Sequence, residues 1–383
     1  MKSLLNRKRM MTALVVVGVI GVLVTYIMVV PQSQPCWPKP LGYLPDLLDK
    51  RPDPTLHTSS PQLTEPITLL LGGDVMIGRG VARHLKRRPR HQVFTSLNVP
   101  KSVDIIHFNL ESVVSELHPE WPWKMYRFRS EPSLLPRALS LNHLTQHRSV
   151  QKASLVVSLA NNHALDFGRE GLRETLKHLD QAGVAHVGAG LNTTQAWSPR
   201  IIERRGQSVG FISITDHCGC LDMCGWLPTP ARSGVAYAYL SGGAWETLLE
   251  ATRRLRARVE VVVISLHSGP NYMSEVPDWQ QELGRALIDA GAKIIVMHSA
   301  HHVLPYERYR SGLIFYALGD LMNDYRFNQK YRSDLGATAL VKLHVKEPPT
   351  VVLRPHKIAR RHLKPLKSSD PDTHLTLRRL NSQ

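Results

Sequence analysis

The chain has 383 residues, 43% of them hydrophobic and 21% charged, with a formal net charge of +17 at pH 7. That length and apolar content allow one large core or two modest ones and exclude a chain too polar to fold. The basic balance makes an anionic polymer or surface a natural partner, and nucleic acid is not among the expected partners.

Lys2, Arg7, Lys8 and Arg9 precede 21 uncharged residues, Met10 to Val30, enough at ~1.5 Å per residue to cross a bilayer. The expected organisation is a basic cytoplasmic N-terminus over 1–9 and a single transmembrane signal anchor over 10–30, with everything after Val30 extracytoplasmic. A cleaved signal peptide fits less well, because its apolar region is shorter and ends in a small-x-small site. Taking the four cytoplasmic basic residues from +17 leaves +13 outside. Nine prolines fall between Pro31 and Pro66, a density that favours an extended stalk.

The folded domain is expected over 67–345, followed by a basic C-terminal segment, 346–383, with closing strands. ITLLLGGD from Ile67 reads as a buried strand, followed by a helix-like stretch from Ile77 to Arg88. Asp104 to Phe108 is a second strand, and it runs into Asn109, Leu110 and Glu111. The segment WPWKMYRFR, Trp121 to Arg129, is aromatic and basic, a substrate wall or a surface loop. Leu155 to Leu159 is a third strand, and polarity changes abruptly at Asn161, Asn162 and His163. A helix from Arg169 to Ala182, with Leu172, Leu176 and Leu179 on one face, stops at Gly183. Strands then end at Asp216 and His217, at His267, at the run His298, Ser299, Ala300, His301, His302, and at Gly319 and Asp320. Helices over Ala244–Arg258 and Asp278–Ala290 separate them, and Ala337–Val345 and Thr350–Leu353 close the series. Short apolar runs alternating with helices predict an α/β layered fold.

Asp74, Glu111, Asn162 with His163, His267, His298 with His301 or His302, and Asp320 each follow an apolar run. Together they place carboxylate, carboxamide and imidazole on one rim of a sheet. Oxygen and nitrogen donors without thiolate suit one or two divalent ions, Mn, Fe(II), Zn or Mg. A carboxylate shared between two ions, with Asn and His completing the shells, is what a two-metal hydrolase requires. His163 is then the expected general acid.

GGDVMIGRG, FNLES, SLANNHALDFG, VGAG, TDH, PDWQQELGRALIDAGA, HSAHHV and LIFYALGDLMNDY, in order from Ile67 to Leu343, resemble the CapA family of capsule and poly-gamma-glutamate synthesis proteins. The resemblance implies kinship with calcineurin-like metallophosphoesterases and a four-layered α/β/β/α sandwich with metals at its loop rim. It matches Asp74, Glu111, Asn162, His267, His298 and His301 or His302 to metal ligands. It also matches Arg79 to the GDVMxGR motif, and makes Arg79, His163 and Asp320 the catalytic candidates and Arg129 and His217 the substrate contacts. Two departures from phosphoesterases stand out: Met76 where they carry His, and Glu111 where they carry Asp. Thioether binds hard dications poorly, so one metal position is expected to be weakened. Ser268, where the family often has Trp, is expected to open the pocket. The implied partners are a poly-gamma-glutamate-like polymer, the membrane and membrane synthase subunits. A metal-dependent phosphoesterase or amide hydrolase and a non-catalytic polymer-binding module are the alternatives.

Cys218, Cys220 and Cys224 cluster in CGCLDMC, with Cys36 far away in the stalk. Outside the cytoplasm a disulfide among them is expected in preference to a zinc site, which lacks a clear fourth ligand.

Overall fold

The computed structural model describes residues 65–116, 119–122, 124–141, 153–217, 223–344 and 347–381, with 14–15 and 26–27. Within 1–40, Leu14–Val15 pairs antiparallel with Tyr26–Ile27. The remainder of the expected membrane anchor, most of the stalk, Cys218, Cys220 and the side chain of Cys224 lie outside what is described. Among the described residues no helix is long and apolar enough to cross a membrane.

The rest of the chain is a mixed α/β fold built on two sheets. The first runs His362–Pro365, Thr350–Ala359, Leu335–Leu343, Ile67–Val75, Ile105–Leu110, Ser154–Ser158 and Ala185–Val187 from edge to edge, with Asp320–Met322 alongside Ile67–Val75. Its last four strands are parallel and the others form an antiparallel meander. The second sheet runs Arg200–Arg204, Gln207–Thr215, Val261–His267, Ile294–His298, Gly312–Leu318 and Val303–Tyr309, with the four middle strands parallel.

Side-chain alternation along each strand explains why the sheets stack. Ile67, Leu69 and Leu71 point between the sheets, as do Val261, Val263, Ile294, Val296, Leu313 and Phe315 opposite them. Leu70, Ile106, Phe108, Leu155 and Val157 face outward, onto Val81 and Leu85 of the helix Arg79–Arg87 and Leu172, Leu176 and Leu179 of the helix Gly168–Gln181. On the far side Val262, Ile264, Leu266, Ile295 and Met297 meet Leu248, Leu255, Leu283 and Leu287 of the helices Glu246–Arg256 and Asp278–Asp289. Strands buried on both faces are apolar at nearly every position, as these are.

The parallel registers decide where polar strand ends fall. Asp74 lies opposite Asn109 and Asn109 opposite Ser158 in the first sheet. Thr215, His267 and His298 lie in one row in the second. Asp320 pairs with Asp74, and the two chains come so close there that a Cβ on Gly73 would lie 1.6 Å from the Gly319 carbonyl oxygen. Gly73 is the residue that lets the Asp320 strand lie against the first sheet, and Gly319, at φ 73°, supplies the turn into it.

Candidate metal centre

Asp74 occupies the middle of the rim. Its Oδ1 accepts from Asn109 Nδ2 at 2.9 Å and lies 3.0 Å from His298 Nδ1, and its Oδ2 accepts from the Ser299 amide at 3.1 Å. Asn109 Nδ2 also lies 3.2 Å from His267 Nδ1, so one carboxamide ties the two sheets together. Asn161 donates to Asn109 Oδ1 and to the Leu110 carbonyl, fixing the orientation of that carboxamide. His298 is held from behind by Ser265 Oγ at 3.1 Å.

Asp74 belongs to two groups of ligand atoms mutually within 4.8 Å, one completed by Glu111 and His267, the other by His301 and Asp320. All five residues are buried. Glu111 is the exceptional member. Both of its carboxylate oxygens are buried without a hydrogen-bond partner, with His163 Nε2 at 3.6 Å and His267 Nε2 at 3.9 Å from Oε1. A buried carboxylate left in that state costs several kcal/mol unless a cation completes it. Burial pushes Glu111 well above the usual carboxylate range, with the Asp74 and Asp320 charges adding to the effect. Burial opposes ionisation of Asp74 too, but His298, His267 and His301 outweigh it and hold that carboxyl below its ordinary value. For His301 burial is overcome by the Asp320 charge and hydrogen bond, which with Glu111 and Asp74 raise it to about 10. His267 has no such carboxylate bond, and burial keeps it neutral, well below its ordinary value. Three clustered carboxyl groups, two unpartnered oxygens and neutral imidazole beside them fit a divalent ion, and these groups could hold one or more.

The HSAHH run resolves into two directions. Ser299 and His301 adopt φ 88° and 57°, a conformation that costs non-glycine residues about 1–3 kcal/mol and gathers at functional sites. The turn brings His301 Nδ1 within 3.0 Å of Asp320 Oδ1 and 3.7 Å of Asp74 Oδ2. His302 turns away instead, its Nδ1 on its neighbour's carbonyl and its ring 4.9 Å from Tyr331, against a cavity of about 700 Å³ that also carries Arg285, Lys330 and Arg379. His301, not His302, joins the carboxylates.

His163 stands on the other side of Glu111. Its Nδ1 lies 2.7 Å from Asp166 Oδ2 and 3.1 Å from Lys124 Nζ, and Lys124 also pairs with Asp166 and with the Asn162 carbonyl. Phe128 donates its amide to the same Asp166 oxygen and sets its ring edge-on to His163. Burial lowers His163 to about 4, Asp166 opposing and Lys124 reinforcing. With Nδ1–H donating a hydrogen bond to Asp166, the neutral ring presents an Nε2 lone pair toward Glu111, and acid chemistry requires a second proton at Nε2.

Arg79, at φ 49° at the head of its helix, lies over Phe128 at 5.2 Å and Tyr126 at 5.6 Å, with Nη1 buried and unpartnered. Tyr325 packs against Tyr126, Phe128 and His301, so an aromatic wall joins Arg79 to the carboxylates. Of the two expected substrate contacts, Arg129 donates to the Ser115 carbonyl and covers Phe167. His217 bonds the Gly269 carbonyl, 6.0 Å ring to ring from His267. Asn162 keeps a buried, unpartnered Oδ1, whereas Met76 is wholly buried in the chain interior. Ser268 is also wholly buried, and its carbonyl accepts from Gln280. Asn109, Asn161, Lys124, Asp166 and Asn323, which donates to Asp320, were not singled out from sequence. Asp166 alone carried a local signal, its spacing three residues after His163.

A two-sheet α/β protein with a buried histidine and carboxylate cluster at the carboxyl ends of its parallel strands is the class this geometry defines. Residues 68–325 match the family described as bacterial capsule synthesis protein PGA_cap, and the chain belongs to that family. It is 27% identical over 290 residues to the capsule biosynthesis protein CapA of Bacillus anthracis, covering 76% of this chain and 66% of that protein. It is 26% identical over 279 residues to the PGA biosynthesis protein CapA of Bacillus subtilis, covering 72% and 67%. The chain thus spans only about two thirds of the length of these two relatives. Among solved structures, a hypothetical protein from Thermus thermophilus aligns with a TM-score of 0.40 at 14% identity, covering 79% of this chain and all of that one.

Proposed function

We propose that this chain is a membrane-anchored, extracytoplasmic member of its family that handles an anionic, poly-gamma-glutamate-type polymer during synthesis, transport or attachment. Its metal-dependent centre would be of the metallophosphoesterase kind, with Mn, Fe, Zn or Mg shared across Asp74. The observation that carries the reading is Glu111, a carboxylate buried beside Asp74 with both oxygens lacking a partner. Asp74, Glu111 and His267 would hold one ion and Asp74, His301 and Asp320 another, with His298 and Asn109 orienting Asp74. Bound there, metal supplies a nucleophilic water at neutral pH and charge neutralisation of an oxyanion.

The chain's own groups do the rest. Arg79 Nη1, buried and unpartnered, offers a charged donor to an anionic substrate. Asp166 orients His163 and stabilises a second proton at Nε2, which Lys124 and burial oppose. An arriving substrate anion tips that balance toward the imidazolium, from which Nε2 donates to a leaving group. The +13 charge left outside the membrane, +17 less the four cytoplasmic basic residues, favours encounter with a polyanion.

The test is turnover by the full-length chain on polyglutamate and on a generic phosphodiester, with and without added Mn²⁺. Metal-dependent turnover that falls with Arg79→Ala supports the reading. Salt-sensitive polyglutamate binding without turnover, unchanged by chelation, replaces it with a binding module.

A further inference from the structure

A second histidine cluster lies away from the Asp74 centre. His84 sits near the end of the helix Arg79–Arg87, His91 in the loop that follows it, and His362 in the C-terminal edge strand His362–Pro365. Their ring centroids are 4.8, 4.9 and 4.6 Å apart, and the ring planes cross at 83°, 90° and 72°. One nitrogen from each ring falls within 4.8 Å of the other two. His84 Nε2 and His91 Nε2 are both buried without a hydrogen-bond partner.

Three imidazoles gathered for packing alone would turn their nitrogens toward water or a carbonyl, because an unmet buried polar atom costs about 1–3 kcal/mol. Here two are turned inward and left unmet, and the rings stand nearly perpendicular to one another, as ligands around one ion do. We propose that His84, His91 and His362 form a second, independent site for a borderline transition-metal dication such as Zn²⁺, held by three neutral imidazoles with a fourth position open to an anion. Tetrahedral Zn–N bonds of about 2.0–2.1 Å need ligand nitrogens about 3.4 Å apart, a closure that side-chain torsions can absorb. The group contains no carboxylate, so Mg²⁺ and Ca²⁺ are excluded in favour of metals that take imidazole.

The surroundings are consistent with this site. Burial lowers all three histidines, and Arg88 lowers each further. Arg361 adds to the effect at His84, Arg137 at His91 and Lys364 at His362, and His91 reaches about 4. The same cations repel a bare dication, so the site calls for chloride, hydroxide or phosphate as a charge-balancing fourth ligand. A metal here would bind the Arg79 helix to the C-terminal hairpin, two elements far apart in sequence.

The experiment uses the full-length chain, stripped with chelator and titrated with Zn²⁺, and with Co²⁺ as an optical probe. An Asp74→Ala background removes the first centre. In that background Zn²⁺ should still bind, raise the thermal midpoint, and give with Co²⁺ the intense visible bands of a tetrahedral nitrogen-rich site. Adding His91→Ala, or His362→Gln should His91→Ala fail to fold, should abolish all three while leaving the far-ultraviolet circular dichroism unchanged. Zn²⁺ binding and stabilisation that persist unchanged in a folded His91→Ala or His362→Gln variant would overturn the proposal. So would an Asp74→Ala chain that neither binds Zn²⁺ nor is stabilised by it.

Discussion

Two groups of buried or half-buried carboxylates in this molecule are handled in opposite ways. Near the C-terminus Arg332 pairs with Asp334 and Asp372, and Lys357 pairs with the same two, at distances of 2.9 to 3.5 Å. Every acid there has its base, and the network ties the helix Pro371–Leu380 to the strand Thr350–Ala359. At the rim, Asp74, Glu111 and Asp320 are drawn together with two histidines, His267 and His301, and one carboxylate, Glu111, is left with no hydrogen-bond partner. Satisfied ion pairs near a surface contribute modest stability, whereas an unsatisfied buried carboxylate is a cost that persists where something outside the chain completes it.

The largest effect expected from breaking this contrast is loss of metal. Asp74→Ala removes the group common to both ligand sets, so bound Mn²⁺, measured by elemental analysis after gel filtration, should vanish while the far-ultraviolet spectrum persists. Next comes His163→Ala, which should leave metal content unchanged and lower kcat by roughly 100-fold, the usual scale for a lost proton-transfer group. A variant that lost metal in proportion to rate would instead make His163 a ligand.

Substitutions at the paired network should do much less. Asp372→Asn should cost about 0.5–1 kcal/mol by urea denaturation, with metal content untouched. Its pH dependence has a definite sign. The Lys357 hydrogen bond first, and Arg332 next, hold Asp372 below its ordinary value of 3.8. At Asp334 burial acts the other way, and the Arg332 hydrogen bond and charge outweigh it. A lowered folded-state value means the stabilisation is complete above about pH 4 and is lost as pH falls through the lower folded values. Wild type should therefore lose its advantage over Asp372→Asn only below that range.

Much of this architecture could be read from the chain. Strict apolar runs ending in Asp74, His267 and His298 marked strands buried on both faces, and their polar last residues marked the rim. What stayed hidden depends on contacts between distant segments. Asn109 and Asn161 stood where apolar runs end but carried no sign of their role, and only the pairing of parallel strands puts one carboxamide between Asp74 and His267. Lys124 was one cation in an aromatic stretch until folding placed it on Asp166. The choice between His301 and His302 hung on two left-handed backbone residues, which no periodicity reports. The strand Val303–Tyr309 has inward residues only at its start and half-exposed ones after it, so its pattern did not stand out.

The most direct test of the central claim is the thermal midpoint of Glu111→Gln relative to wild type, measured once with excess chelator and once with saturating Mn²⁺. Glutamine keeps the shape and is neutral without the cost of protonating a carboxyl that burial pushes well above its ordinary value, so without metal the variant should have the higher midpoint. With Mn²⁺ the order should reverse, because wild type alone gains the full binding energy. A Glu111→Gln variant less stable than wild type by the same margin in both conditions would contradict the account and make Glu111 a structural residue.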